Sequence, residues 1–272
     1  MRYENIKNRK AKDFKRLTGV PHQLFNQMVT VLKQAMSNLG RPPKLSREDQ
    51  LLMTLMYWRE YWTQFHIGQT YDLSESTVCR TIPKIENALI QSGQFTLLGK
   101  KILQAEDTPI EVVLVDATEQ AIERPRKKQK SHYSGKKKRH TQKAQVIVNQ
   151  KTLEIIATAF CKGRKHDFRL FKESYGGMHK EIVCLADSGY QGLMKMHQNS
   201  KTPVKKSKKQ PLTKAQKKSN RTLSKKRIAC EHVIGKLKIF RILKERYRNR
   251  RMRFGLRFNL IASLYNLSLS LS

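Results

Sequence analysis

Three carboxylates stand where their surroundings allow chemistry. Asp116 closes the β-branched run EVVLV, Asp187 closes EIVCLA, and Glu231 lies within RIACEHVIGKLK. If the two runs are neighbouring parallel strands, side chains at their ends lie roughly 5 Å apart. Carboxylates that close repel one another unless a cation sits between them. Oxygen-only donors of this kind select Mg²⁺ or Mn²⁺. A site of three carboxylates can hold two ions, which activate an attacking oxygen and stabilise a leaving one in phosphodiester cleavage. Each acid also has a plainer reading. A strand-end Asp commonly serves a turn, and Glu231, the only acid from Leu223 to Lys244, can be an ion-pair partner. The plainer reading weakens when all three occur together in a chain charged for DNA.

Strands and one long helix must position these groups. Segments 111–115, 144–148 and 155–160 are apolar runs rich in β-branched residues, separated by short polar stretches and one basic loop, which suits a meander. A short helix over 166–173 and a fourth strand over 181–186 follow. A helix from about Ser224 to Arg246 offers Ile228, Val233, Ile234, Leu237, Phe240, Ile242 and Leu243 as its apolar face. Asp116 and Asp187 are expected to end their strands, at the usual place for a site in an α/β sheet. Asp167 is read as capping the short helix rather than as a metal ligand.

The first hundred residues read as helices. His22–Leu39 has apolar residues near a 3.6-residue period, Gly40 stops it, and Arg41-Pro42-Pro43 forms a rigid linker, with minor-groove entry the alternative for Arg41-Pro42. Ser46 can cap the next helix and Asp49 favours its positive end. A short helix over Gln64–Tyr71, the turn Asp72-Leu73-Ser74 and a helix from Glu75 towards Leu89 make a helix-turn-helix pattern. It directs Glu75, Ser76, Thr77 and Arg80 towards a major groove; an ordinary helical hairpin is the alternative. Pro83 is expected to kink or split the second helix.

Composition bounds what these parts can serve. The 272 residues include 56 Lys+Arg and 21 Asp+Glu, a net charge of +35, which is the footprint of a polyanion binder. Charge alone does not exclude a ribosomal or packaging protein. No run is long and apolar enough for a membrane helix, and the basic start MRYENIKNRKAKDFKR argues against a secretory signal. Four cysteines without a CxxC pair suit reduced thiols in the cytoplasm, and the lack of HExxH argues against zinc. Residues 124–143 hold ten Lys/Arg and no acid, and 201–228 hold twelve and no acid. Segment 201–220 is nearly devoid of apolar residues and reads as a mobile insertion. Lys136, Lys137, Lys138 and Arg139, between the first two strands, read as a phosphate clamp beside the carboxylates, or else as a solvated hairpin loop.

The runs VDATE (115–119), IERPRKKQKSHYSGKKKRHT (122–141), GRKHDFRLFKES (163–174) and ADSGYQG (186–192) resemble transposases of small bacterial insertion sequences, within the insertion-sequence-five family of the DDE superfamily. Arg227, Glu231 and Lys238 match the superfamily's Arg-x3-Glu-x6-Lys spacing, and segment 247–266 is similar to the family's usual ending. The resemblance spans essentially the whole chain. It implies an α/β, ribonuclease-H-like mixed sheet flanked by helices (106–272, with a Lys-rich insertion at about 201–221), preceded by an all-α helix-turn-helix domain (1–105). It implies a catalytic and metal-holding triad of Asp116, Asp187 and Glu231, with Arg227 and Lys238 on the same helix as Glu231, facing DNA or the metal site. Ser224 departs from the Tyr of many relatives. The implied activity is hydrolysis at the element's ends and attack of the new 3′-OH on target DNA. The partners are double-stranded DNA, as terminal inverted repeats and target, and a second copy of the chain. No protein nucleophile is needed, so Tyr133 and Tyr190 serve packing or DNA contact. A nucleoid-associated cytoplasmic protein is expected. The alternatives are a DNA-binding protein without catalysis and an RNase-H-like nuclease without strand transfer.

Overall fold

The computed structural model describes residues 1–36, 43–206 and 211–271. In chain order its helices are α1 (Ala11–Thr18), α2 (His22–Ala35), α3 (Arg47–Arg59), α4 (Gln64–Tyr71), α5 (Glu75–Gln91), α6 (Gln129–His132), α7 (Asp167–Ser174), α8 (Lys214–Leu237) and α9 (Phe254–Ser270). The strands are β1 (Val112–Ala121), β2 (Tyr133–Ser134), β3 (Arg139–Asn149), β4 (Ile155–Lys162), β5 (Val183–Ala186) and β6 (Ser200–Lys201). Two compact units result: 1–96 with 237–245 and 256–272, and 97–236 with 246–255. The expected division gave 106–272 to one domain. By compactness, 237–245 and 256–272 group with the first unit. The ends of α2 towards Leu39, the stop at Gly40 and the Arg41-Pro42 linker lie outside the described residues, as do 207–210 of the Lys-rich segment.

The first unit is all helix. α3 buries every side chain from Gln50 to Trp58, as a helix at the centre of a bundle must. Its start is as expected: the Ser46 hydroxyl accepts from Asp49 N at 3.1 Å. α5 passes through Pro83 without a break, contrary to expectation. Val78 and Ile82 before the proline, and Ile85, Ala88 and Leu89 after it, are all buried, so packing on both sides outweighs the missing hydrogen bond. Phe240 presses on Gly19, where a Cβ would come within 2.5 Å of the ring and where φ is +85°. Only glycine serves both demands.

The second unit is a mixed sheet in the order β2-β3-β1-β5-β6, with β4 paired to β3. β1, β3 and β4 form the expected antiparallel meander, and β5 joins β1 in parallel. One sheet face, carrying Val113, Val115, Ile147, Cys184 and Ala186, packs on Phe171 of α7 and on Tyr190. Tyr190 is fully buried and donates to Gln145 Oε1 at 3.2 Å, which makes it a packing residue. His166, not Asp167, caps α7, its Nδ1 accepting from Phe168 N. Asp167 instead accepts from the buried Lys143 Nζ at 2.8 Å.

α8 differs from its expected span. It begins ten residues earlier, inside the segment read as an insertion. Thr213 Oγ1 accepts from Gln216 N at 3.2 Å while Gln216 Oε1 accepts from Thr213 N at 3.0 Å, a reciprocal capping box. Lys, Ala and Gln are good helix formers, so the lysines between Lys214 and Lys218 extend the helix without contributing to a core. α8 then ends at Leu237, and Phe240, Ile242 and Leu243 are buried from a turn and a 3₁₀ segment beyond it. Ile228, assigned to the apolar face, is 50% exposed.

Candidate active site

The last residue pair of the β1–β5 ladder is Val115 with Ala186. Asp116 and Asp187 are therefore the next residues on adjacent parallel strands, whose backbones lie about 4.8 Å apart across the sheet. Strand alternation puts both on the sheet face opposite Tyr190 and Phe171. Contrary to expectation, Asp116 does not end β1, because β1 continues to Ala121 against β3. It marks instead the point where β5 departs and one flank of β1 opens. Asp187 does end its strand. Its carboxylate caps the 3₁₀ turn Ser188–Tyr190 and accepts from Gly189 N at 2.7 Å. Asp116 Oδ1 accepts from Ala117 N at 2.8 Å.

α8 brings the third carboxylate. Its buried residues Cys230, Val233, Ile234 and Leu237 repeat at i, i+3, i+4 and i+7. Arg227 and Glu231, four residues apart, share a neighbouring face. Burial raises the Asp116 carboxyl to about 6, the Ala117 N–H and Arg227 oppose the rise, and Asp187 and Glu231 add to it. Asp116, Asp187, Glu231 and Arg227 thus form one electrostatic neighbourhood. Glu231 itself is exposed.

Among the described residues, no three of His, Cys, Asp and Glu are grouped closely enough to form a ready metal cage. The donors nevertheless fit a hard divalent cation in kind. Two carboxylates stand in register, a third is felt by Asp116, and each offers only oxygen. Burial beside like charges makes Asp116 costly to ionise, a cost that a cation removes.

Lys238, expected on the same helix as Glu231, lies past the end of α8 and belongs to the first unit. The helix stops there because Phe240 N turns back to Leu237 O at 3.1 Å and the following apolar residues bury from the turn. The Lys136–Arg139 turn joins β2 to β3 and is exposed. Arg139 is seven residues along β3 from Val146, the partner of Asp116. That separation is on the order of 23 Å, so the turn is not beside the carboxylates.

In the first unit α4, the turn and α5 match the expected helix-turn-helix. Asp72 takes a left-handed conformation, and Ser74 Oγ accepts from Thr77 N at 3.3 Å. Gly68 permits the turn, since a Cβ there would lie 2.6 Å from Leu73 O. Glu75, Ser76 and Arg80 are exposed. Thr77 is half-buried, with its hydroxyl 2.8 Å from that of Ser74. Lys84, also exposed, extends the Ser76–Arg80 row by one more turn at the i, i+4 spacing.

Comparison with known proteins adds the following. The family described as "DDE superfamily endonuclease" matches residues 115–266, and that described as "Helix-turn-helix of DDE superfamily endonuclease" matches residues 43–95. The chain is 51% identical over 274 residues to the probable transposase for insertion sequence element IS702 of Microchaete diplosiphon, covering 100% of this chain and 99% of that protein. It is 24% identical over 235 residues to the putative transposase for insertion sequence element IS112 of Streptomyces albus G, covering 84% of each. No solved structure matches.

Proposed function

The chain belongs to the DDE-superfamily transposases of insertion sequences, and from that premise we propose that Asp116, Asp187 and Glu231 hold two divalent cations, Mg²⁺ or Mn²⁺, for cleavage at the element's ends. The register of Asp116 with Asp187 at the departure of β5 is the observation that carries this reading. When bound, the cations supply positive charge at the scissile phosphate and ease deprotonation of the attacking oxygen.

The chain's own residues do the rest. β1 and β5 fix two carboxylates on a rigid sheet, and α8 presents Glu231 across from them. Arg227 offsets part of their negative charge and offers a donor to a neighbouring phosphate oxygen. Water displaces the 3′ oxygen of the element's last nucleotide, leaving a free 3′-OH and a 5′-phosphate. That 3′-OH then displaces an oxygen from a target phosphodiester. In the first unit, α5 reads the terminal repeat through Glu75, Ser76, Thr77 and Arg80, with Lys84 on the adjoining phosphates. Lys136 to Arg139 contact DNA away from the carboxylates, and Lys238 contacts DNA from just past the end of α8. Joining two ends requires at least two copies of the chain, acting on DNA in the cytoplasm. Among the described residues no helix is long and apolar enough to cross a membrane.

The test is cleavage of a labelled fragment carrying the element's own ends, in Mg²⁺ or EDTA. Wild type nicks at the boundary only with metal. Asp116→Asn and Asp187→Ala lose nicking by about 10³-fold or more while still binding the ends. Nicking by either variant at the wild-type rate removes these residues from the site. End binding without metal-dependent nicking by wild type makes the chain a DNA-binding protein without catalysis.

A further inference from the structure

A second basic site lies in the second unit, and the carboxylate argument does not use it. A cleft of about 1060 Å³ opens at the end of edge strand β4, lined by seven Lys or Arg residues and no acid. Lys165 and Arg169 share the carboxylate of Glu173. The other five, Arg126, Lys128, Lys130, Lys162 and Arg164, make no ion pair among the described residues. Five unpaired cations around one concavity repel each other, and such an arrangement suits a polyanion.

The wall that carries these charges is fixed. The buried Lys143 Nζ holds Lys165 O at 2.7 Å and Asp167 Oδ1 at 2.8 Å, and lies 3.4 Å from Glu119 Oε1. Arg164 N donates to Ser131 O at 3.3 Å, tying the two lining loops together. Gly163 sits so close to β3 that a Cβ would fall 1.9 Å from Thr141 Oγ1 and 2.8 Å from Thr141 O. A flexible surface tail needs none of this. Cations set on a pinned backbone lose less entropy when they meet phosphate.

The register gives the distance to the carboxylates. Lys162 pairs with Gln142, and Gln142 pairs with Gln120, four residues along β1 from Asp116. Two strand spacings across and four residues along put Lys162 on the order of 17 Å from Asp116. Strand alternation leaves the Lys162 and Asp116 side chains on the same sheet face, while the 165–169 wall, held by Lys143 from the other face, belongs to the α7 side, so the cleft straddles the sheet edge at β4. Seventeen ångströms is about half a turn of B-form duplex, or roughly five base pairs.

We propose that this cleft holds the backbone of the duplex being cleaved, about half a helical turn from the scissile phosphate. The proposal rests on the reading of Asp116 as part of the cleavage site. The cleft is a phosphate site that reads no sequence, distinct from the helix-turn-helix.

The test uses the full chain with Lys130→Gln, Lys162→Gln and Arg164→Gln together, and the Lys130→Gln, Lys162→Gln pair as a milder variant. Thermal melting confirms the fold of each. The readout is affinity for a duplex carrying the element's end as salt is varied. The slope of log affinity against log salt falls in magnitude by up to about 2.7 for the triple variant and up to about 1.8 for the pair, at about 0.9 per lost phosphate contact. In wild type, a neutral methylphosphonate patch roughly five base pairs from the cut weakens binding, and in the triple variant it does not. An unchanged slope in a folded variant overturns the proposal. A fallen slope with no sensitivity at that position also overturns it, because the cleft then binds some other polyanion or stretch of DNA. Asp116→Asn is assayed for cleavage in parallel. If it still cleaves, the Asp116 reading fails independently, while the slope still decides whether the cleft binds DNA.

Discussion

Glu86 in the first unit and Asp116 in the second are carboxylates withdrawn from water, and the protein treats them in opposite ways. Glu86 is fully buried, and its Oε1 accepts from Arg257 Nε at 2.6 Å and from Trp58 Nε1 at 3.1 Å. The guanidinium of Arg257 also lies 5.3 Å from the centre of the Tyr57 ring. A cation, an indole N–H and an aromatic face close that site, and its role is to fasten α9 to α5. Asp116 has one backbone N–H, one cation at a distance, and two further carboxylates that raise its pKa. Among the described residues, no ion pair closes its charge. On the proposed function, the contrast separates a carboxylate kept for stability from one kept for a ligand, because a charge left incompletely compensated in a fixed position costs stability until something binds.

The sharpest way to break this contrast is to remove one partner from each site. Arg257→Met strands the Glu86 carboxylate and costs about 3–5 kcal/mol of stability, read as a lower denaturant midpoint for the first unit. Adding Glu86→Gln recovers most of that loss, since the amide oxygen still accepts from Trp58. Asp116→Asn, by contrast, leaves the metal-free melting temperature unchanged or higher. A loss on the scale of Arg257→Met would make Asp116 a structural residue.

Metal should act on one region only. Mg²⁺ at a hundred times its dissociation constant stabilises wild type by about 2.7 kcal/mol, read as a rise in melting temperature. The Asp116→Asn, Asp187→Asn double variant shows no rise. The Arg257→Met protein keeps the full rise for the transition of the second unit. An equal rise in the carboxylate variant places the ion elsewhere.

The smallest effect concerns how α8 is delivered to the sheet. Thr213→Ala removes half of the capping box and costs about 1 kcal/mol. Faster amide exchange confined to the first turns of α8 identifies the loss as local. If exchange quickens as far as Glu231, the start of the helix governs the placement of the third carboxylate.

Much of the site was legible because its signals are local. Asp116 and Asp187 each follow an apolar run, and that pattern marked both as candidates, although β1 runs on past Asp116. The cap at Ser46, the turn at Asp72–Ser74 and the meander were legible for the same reason. The errors came where tertiary contacts overrule local pattern. Pro83 does not break α5 because both of its halves are packed. α8 ends before Lys238 because Phe240 and Ile242 bury better from a turn. The Lys-rich stretch after Thr213 reads as disordered by composition, yet a capping box starts a helix inside it.

The sequence by itself determined the chemistry available: three carboxylates in a chain of +35, a helix-turn-helix, and a sheet rich in β-branched residues. Periodicity, caps and strand patterning are short-range, so they survive in one dimension. Only the tertiary structure decided what meets what. Glu86 and Arg257 are 171 residues apart, and the basic cleft joins the stretch 126–131 to the stretch 162–169 through strand register. No local pattern encodes such meetings, because each depends on the summed packing of elements distant in the chain.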